Sequence, residues 1–370
     1  MWNRLAFFAL VAVVAPAQTP PGSFRVDLSP DAPLALVSAD WGASRVTTRG
    51  GALLLELHSN LQLKNTGARR IRAVSLLVTA QDQTPGGRAS VTVPSLDIEA
   101  SDTFPVRIDL RLMRPLQTAA GAIVEVQLDG ILFEDLGFYG PNRMNARRSM
   151  LAWELGARRD RKALWTVLDR GGAGALRNEL VEALARNEAQ PRLAVQAARA
   201  GRTTAVEPER EVTLAALSLP ATPVELLSGT VKIAGDEARA PHIVLRNIGA
   251  KPVRSVEISL LVRDNQGREY TAGSLPADVN LAPGQTGAAA KEGALRFSLP
   301  GGGPATLAAM TGFVSSVEFS DGAFWVPSRQ ALRDPRLLGV LPPSGEEERL
   351  MELYRRKGLD AVIQQLRRLR

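Results

Sequence analysis

Residues 63–74 read LKNTGARRIRAV, and residues 245–256 read LRNIGAKPVRSV. In both segments an apolar run ends in Asn-x-Gly, and a second apolar run follows. Asn and Gly tolerate left-handed backbone angles, so this triplet is typical of a turn between two strands. Because the pattern returns 182 residues further along the chain, we expect one structural unit to occur twice.

A second set of matches supports this duplication at an offset of 186 residues. Short runs near these matches, such as 106–112, 124–129 and 256–260, alternate apolar and polar residues. That alternation predicts antiparallel strands with one buried face, and their spacing favours β-sandwiches. The repeated acids and arginines predict ion pairs between Asp135 and Arg143 and between Asp321 and Arg329. The residues matched at this offset are Phe133, Asp135, Phe138, Tyr139, Pro141 and Arg143 with Phe319, Asp321, Phe324, Trp325, Pro327 and Arg329.

Helical patterns follow each strand-rich block. Residues 164–184 place apolar side chains at helical spacing on both sides of Gly171 and Gly172. The C-terminal residues 350–366 repeat this pattern around Gly358, again at an offset of 186. Each unit is therefore predicted to end in a helical hairpin.

The Asn-x-Gly segments resemble the region between the second and third strands of bacterial extracellular immunoglobulin-like domains. The resemblance rests on the apolar strand, the Asn-x-Gly turn and a following strand that ends in Asp, at Asp82 and Asp264. It covers roughly twenty residues in each copy and implies a fold and an adhesion or scaffold role rather than an activity. The appended helical hairpins depart from that family.

The predicted fold is mainly β with α: two tandem antiparallel immunoglobulin-like β-sandwiches, each followed by a helical hairpin. The predicted boundaries are a signal peptide at 1–17, a first sandwich at 24–143, a helical segment at 144–202, a linker at 203–223, a second sandwich at 224–330 and a C-terminal helical hairpin at 331–370.

The N-terminus has the three-part pattern of a secretory signal. Arg4 supplies a positive charge, residues 5–15 are apolar, and residues 15–17 read Ala-Pro-Ala, a small-x-small cleavage site. An uncleaved signal anchor is the alternative, although the apolar run is shorter than the ~20 residues of a spanning helix. We therefore expect an exported protein, periplasmic or extracellular.

Composition excludes several kinds of site. The 370 residues include no Cys and two His, which excludes disulfides, thiolate metal sites and cysteine nucleophiles. No nucleophile elbow, P-loop, zinc-protease motif or dinucleotide fingerprint is present. His58 and His242 have no counterparts in the other copy and are interpreted as strand residues. The sequence thus predicts no cofactor, no metal and no catalytic residue.

The net charge of +7 is concentrated in residues 143–202, which hold thirteen Lys and Arg against six Asp and Glu. This excess predicts contact with an anionic surface or an acidic envelope protein. A solvated helix face is the alternative. Aromatic residues barely interleave with the charges, and export also argues against a nucleic-acid partner. The candidate interaction residues are Arg147, Arg148, Arg158, Arg159, Arg161 and Lys162.

Three functions are compatible with these features. The leading hypothesis is an exported, non-enzymatic binding or scaffold protein of the cell envelope. The second is a carbohydrate-binding module that uses Tyr139 and Trp325, for which structural packing of the same rings is the alternative. The third is a hydrolase with a carboxylate pair that the spacing does not identify.

Overall fold

A computed structural model describes residues 24–81, 86–116, 122–189, 191–198, 208–290, 293–329, 331–332 and 334–369. The predicted signal peptide lies outside the described residues, as does Asp82 of the family resemblance. The chain is mainly β, with 48% strand and 22% helix, and its several sheets do not close. Among the described residues, no helix is long and apolar enough to cross a membrane. The chain divides into two compact units, Met1–Arg147 and Arg148–Arg370.

The first unit contains two sheets. One sheet has the order β1-β8-β5-β6 with β9 paired to β8, and the other has β2-β4-β3 with β7 paired to β4. The strands are β1 (Phe24–Asp27), β2 (Leu34–Asp40), β3 (Arg45–Arg49), β4 (Ala52–Asn65), β5 (Ile71–Thr79), β6 (Arg88–Val93), β7 (Thr103–Pro115), β8 (Val124–Phe133) and β9 (Phe138–Tyr139).

The two sheets of the first unit share one hydrophobic core. On β7, Phe104, Val106 and Ile108 are buried, and the residues between them are exposed. They pack into one cluster with Leu57 of β4 and Val126 of β8. Each fully buried side chain of this kind contributes about 1.5–3 kcal/mol relative to exposure. The period-two pattern in the sequence therefore reports a real division between core and solvent.

The second unit also contains two sheets around one core. One sheet has the order β10-β18-β14-β13-β11 with β17 paired to β14, and the other has β12-β19-β15-β16 with β20 paired to β19. The strands are β10 (Ala194–Ala198), β11 (Arg210–Thr213), β12 (Ala215–Ala216), β13 (Val224–Ala234), β14 (Glu237–Asn247), β15 (Val253–Asp264), β16 (Glu269–Leu281), β17 (Thr286–Ala290), β18 (Ala294–Ser298), β19 (Leu307–Phe319) and β20 (Phe324–Trp325).

The described helices are α1 (Ala146–Ala189), α2 (Pro335–Val340), α3 (Gly345–Lys357) and α4 (Leu359–Arg368). Gly172 interrupts α1 with φ 70° and ψ −169°, and Gly358 separates α3 from α4 with φ 79° and ψ −176°. Backbone angles in this region are essentially restricted to glycine. Both hairpins therefore turn at a glycine of the same conformation.

The two hairpins pack against each other through one apolar cluster in the second unit. Its fully or nearly fully buried members form three pairs separated by 186 residues. They are Leu164 and Leu350, Leu176 and Val362, and Leu180 and Leu366. Equivalent positions of the two hairpins thus meet in the same core.

A buried asparagine organises the turn after β4 and the turn after β14. The Asn65 amide donates to the carbonyl oxygens of Arg69 at 2.9 Å and Glu99 at 3.0 Å, and its Oδ1 accepts from the N–H of Gly67 at 3.0 Å. A Cβ on Gly67 would lie 2.9 Å from the Cβ of Pro33. The third residue of the triplet is thus glycine because Pro33 lies too close to leave room for a side chain.

Asn247 makes the corresponding contacts in the second unit. Its amide donates to the carbonyl oxygens of Lys251 at 2.9 Å and Leu281 at 3.0 Å, and its Oδ1 accepts from Gly249 at 3.0 Å. Both asparagines are fully buried. The Asn-x-Gly triplet is therefore an internal hydrogen-bonding centre as well as a turn.

The structure departs from the predicted organisation at the middle of the chain. The predicted helical segment reaches residue 202, but α1 ends at Ala189, and β10 pairs antiparallel with β18. Pro191 cannot continue a helix because it lacks an N–H. The predicted linker 203–223 contains β11 and β12, which pair with β13 and β19.

Two strand pairs depart from the predicted antiparallel arrangement. β1 pairs in parallel with β8, and β12 pairs in parallel with β19. Parallel partners need a long connection, and in both cases many other strands intervene along the chain. Alternation within a strand predicts its buried face but not the direction of its partner.

Candidate functional site

The predicted basic residues do not form one exposed face. Arg148 lies 3.2 Å from Glu318 and also pairs with Asp278. Arg161 contacts Glu154 at 2.8 Å and Glu346 at 3.2 Å. Both arginine side chains are largely buried, so their charges are balanced inside the second unit.

Arg158 and Arg159 also have acidic partners. Arg158 contacts Glu154 at 3.0 Å, and Arg159 contacts Asp160 at 2.7 Å. Burial disfavours the charged form of Arg161, but Glu154 and Glu346 outweigh this effect and raise the pKa of its guanidinium above the ordinary value. Removing one partner from such a buried pair leaves an uncompensated charge. These arginines are therefore integral to the packing of α1.

Arg147 and Lys162 complete the predicted set. The backbone N–H of Arg147 donates to Asn142 Oδ1 at 2.9 Å near the start of α1. Lys162 is exposed on α1. Of the six predicted residues, Lys162 thus presents its charge most openly to solvent.

Three of the six residues meet again at a groove beside α1, which we call the α1 groove. It has a volume of about 760 Å³. Arg158, Arg159 and Lys162 line it from the helix, and Arg329 and Glu179 contribute a further ion pair at 2.7 Å. Its apolar lining consists of Leu155, Ala163, Val167, Val326 and Pro327. The groove therefore combines an apolar surface with a predominance of cationic groups.

A smaller cavity of about 30 Å³ shares Arg159 and Arg329 with the α1 groove and adds Glu347. Burial is the main cause that raises the pKa of the Glu347 carboxyl, and Asp160 raises it further, against the lowering effect of nearby arginines. Asp160 and Glu347 are both buried. The cationic lining of the groove is thus held in place by a buried acidic layer.

The charge pattern of the sequence did not reveal these buried acids. Glu154 and Asp160 lie on α1 at helical spacing from buried Met150, Leu151, Ala157 and Leu164. An acid on the apolar stripe of a basic helix was the available signal. Two further buried acids, Glu346 and Glu347 on α3, lie far along the chain from the arginines of α1, so their grouping with those arginines could not be predicted from the sequence.

Tyr139 lines a separate groove in the first unit, which we call the Tyr139 groove. It has a volume of about 500 Å³. Arg143 donates to Gln127 Oε1 at 3.0 Å within it. The ring of Tyr139 also packs against the core of the first unit. The residues that line the groove are Asp27, Ser29, Gln127, Leu128, Tyr139, Gly140, Pro141 and Arg143.

Trp325 holds the matching position on its strand, opposite Val317 of β19 as Tyr139 is opposite Ile131 of β8. It is partly buried and packs against two hydrophobic clusters of the second unit. Trp325 lines neither the α1 groove nor the Tyr139 groove, and a saccharide-binding role for it stays a prediction. Its larger indole is held between the sheet core and residues around α2.

The two ion pairs predicted between the repeated acids and arginines are absent from the described residues, because each Asp has a different partner. Asp135 pairs with Arg69 at 3.3 Å instead of Arg143, and Asp321 pairs with Lys251 at 2.7 Å instead of Arg329. Each Asp also accepts a backbone N–H two residues ahead, from Gly137 or Ala323. This local bond holds the carboxylate over its own turn, away from the arginine eight residues later.

The two histidines lie on strands, as predicted. His58 Nδ1 is 3.1 Å from Asp109 Oδ1 across the exposed face of β4 and β7. His242 lies on β14 opposite Thr230 and Ala290. In the part of the chain that the structure describes, no three His, Asp or Glu side chains are grouped so that they could hold a metal ion.

Comparisons with known proteins give no functional assignment. No protein-family model matches the chain, and no curated protein matches it. Among solved structures, it is weakly similar to the selenomethionine-labelled β-glucosidase from Kluyveromyces marxianus, at 8% identity and a TM-score of 0.15, over 74% of this chain and 46% of that one. The glucose complex of the β-glucosidase from Kluyveromyces marxianus gives 9% identity and a TM-score of 0.15, over 80% and 48%. The chain spans less than half the length of these neighbours, and a likeness of this size carries no argument.

Proposed function

We propose that the chain is an exported, non-enzymatic binding protein of the cell envelope, and that its α1 groove holds an acidic segment of a partner protein. The observation that carries the proposal is the position of Lys162, exposed on α1 and lining an apolar groove together with Arg158. A segment with apolar side chains and a carboxylate would match both features. Such charge complementarity chiefly sets partner choice and association rate.

We also propose that the chain consists of two duplicated immunoglobulin-like sandwiches with helical hairpins. Three observations support this interpretation. Asn65 and Asn247 make corresponding hydrogen bonds, Gly172 and Gly358 share one unusual conformation, and matched apolar residues of the hairpins share a core. The paired hairpins would then act as a rigid base for the α1 groove.

The test uses a fluorescent peptide of alternating Leu and Glu and measures its binding by anisotropy. Lys162→Glu should weaken binding about tenfold at low salt, because a rim attraction becomes a repulsion. Lys357→Glu is the matched control, since Lys357 is exposed on α3 outside the groove. Equal weakening by both variants would mean that net charge, rather than the groove, attracts the peptide.

Vesicles of phosphatidylglycerol test the alternative that the protein binds an anionic membrane surface instead of a protein segment. Binding to vesicles without binding to the peptide would favour a membrane partner and overturn the peptide proposal. Full binding of the peptide by Lys162→Glu would also overturn it.

The second candidate is saccharide binding in the Tyr139 groove. It is favoured by the grouping of an aromatic ring with the polar side chains of Asp27, Gln127 and Arg143. A glycan array followed by titration should show saccharide binding that Tyr139→Ala abolishes. An array with no response would remove this candidate.

The hydrolase hypothesis has less support. Glycoside hydrolysis ordinarily uses two carboxylates. Asp27 is the single carboxylate among the residues that line the Tyr139 groove, and Glu179 is the single one that lines the α1 groove. Neither groove supplies a pair among its described residues.

A further inference from the structure

The strand β7 has one paired edge and one outer edge. It pairs with β4 from Thr103 to Pro115 without a bulge. β2 and β3 pair with the same strand β4 and must lie on its other side, because β7 accompanies β4 along nearly its whole length. Along the outer edge of β7, no strand of the described residues is paired.

The backbone groups of the odd-numbered residues of β7 point to this outer edge. The N–H of Met113 donates to the carbonyl oxygen of Gly86 at 2.8 Å, away from β4. In an antiparallel ladder the direction of these groups alternates along the strand. Pro105 is also odd-numbered, so its missing N–H would have faced the outer edge. The ladder between β7 and β4 therefore loses no hydrogen bond at this proline. Residues 107, 109 and 111 therefore direct their N–H and C=O groups outward.

The second unit shows that a comparable edge accepts an additional strand. There β14, which ends at Asn247 as β4 ends at Asn65, pairs with β18. The other edge of β18 carries β10, a strand that follows helix α1 and joins the sheet from outside it. In the first unit, the described residues provide no strand equivalent to β10.

The charges along β7 select the partner that fits its edge. Arg107, Asp109 and Arg111 alternate in sign, and all three side chains are exposed. Such charges disfavour pairing with an arbitrary strand. Two copies of β7 in antiparallel arrangement can nevertheless match them, because Arg107 of each copy can lie opposite Asp109 of the other. Registers centred on residue 107 or on residue 109 would place like charges opposite each other.

We propose that the outer edge of β7 is a homodimer interface, in which residues 105–111 of two copies form an antiparallel ladder with Arg107 opposite Asp109. The ladder satisfies the outward N–H and C=O groups of Arg107 and Asp109 and the N–H of Arg111 in both strands, and its symmetry produces two opposite-charge pairs. It ends before Met113, whose N–H is already bonded within the first unit. The interface is independent of the α1 groove, so its failure would leave the proposed function untouched.

The test is a charge exchange, with the mass of the full chain measured by light scattering and sedimentation. The unmodified chain should be dimeric at high concentration. Asp109→Arg should raise the dimer dissociation constant about tenfold or more, because two attractive cross-strand pairs become repulsive. The double variant Arg107→Asp with Asp109→Arg should restore the dimer, since it recreates both pairs with their signs exchanged.

A proline variant tests the backbone part of the interface. Arg107→Pro removes an outward N–H and leaves the bonds to β4 intact, so it should abolish the dimer without changing the circular dichroism spectrum. Ile108→Pro, which removes an inward N–H, should instead destabilise the sheet. A chain that is monomeric at every concentration would overturn the proposal. So would a dimer that survives both Asp109→Arg and Arg107→Pro.

Discussion

Replacing Asn247 with alanine tests whether the hydrogen bonds of the buried asparagine side chain stabilise the repeated Asn-x-Gly turn. The change removes three hydrogen bonds, to the carbonyl oxygens of Lys251 and Leu281 and from the N–H of Gly249. Each buried group left without a partner costs about 1–3 kcal/mol. The bond to Leu281 is buried, whereas the other two lie where water has partial access. We therefore expect a total loss of about 3 kcal/mol in the free energy of unfolding.

The assay is urea unfolding followed by circular dichroism. Asn65→Ala should cost a similar amount, because its side chain makes the corresponding bonds in the first unit. Asn247→Asp should not rescue the loss, since a carboxylate cannot donate to the two carbonyl oxygens. Ile248→Ala is the control: this neighbouring side chain is 54% exposed and should cost less than about 0.5 kcal/mol. A loss below about 1 kcal/mol for Asn247→Ala would refute the idea that these bonds hold the turn.

Two further predictions concern the helical hairpins. Gly358→Ala should destabilise the second unit by about 1–3 kcal/mol in thermal or urea unfolding, because the φ of Gly358 is 79°, although a Cβ there would meet no atom within 4 Å. The control is Gly174→Ala, inside α1 with equally open surroundings, which should be neutral or stabilising. Equal effects of both changes would contradict the explanation by backbone conformation. Burial raises the pKa of Glu347 in the folded state, so its contribution to stability is fully present below the ordinary pKa of 4.5 and is lost as the pH rises through the higher folded value. Glu347→Gln should remove this loss, so the variant should gain in melting temperature relative to the unmodified chain as the pH increases from 4.5 towards neutrality, and parallel pH profiles would contradict the assignment.

Much of the local structure followed from the sequence. Alternation on 106–112 gave the buried face of β7, and the apolar spacing around Gly358 gave a hairpin that turns at that residue. These features depend on periodicity and on the freedom of glycine, which are properties of neighbouring residues. The Asn-x-Gly segments likewise gave the positions of two turns.

Less of the candidate site could be predicted. The sequence identified Arg158, Arg159 and Lys162 as candidates, and these three do line one groove. It also grouped them with Arg148 and Arg161, whose partners Glu318 and Glu346 lie far along the chain. A run of positive charge therefore indicated a basic segment without revealing which charges are neutralised inside.

Spacing over a few residues predicted the buried strand faces, the Asn-x-Gly turns and the helical hairpins, but it did not predict the strands β10, β11 and β12. The tertiary structure decided which charges remain available, which aromatic ring lines a groove and which strand edge stays uncovered. Arg161 and Lys162 are neighbours in sequence, yet one is held between Glu154 and Glu346 and the other is exposed. Their difference arises from the packing of α3 against α1, since burial and pairing of a charge depend on residues that meet only in the folded chain.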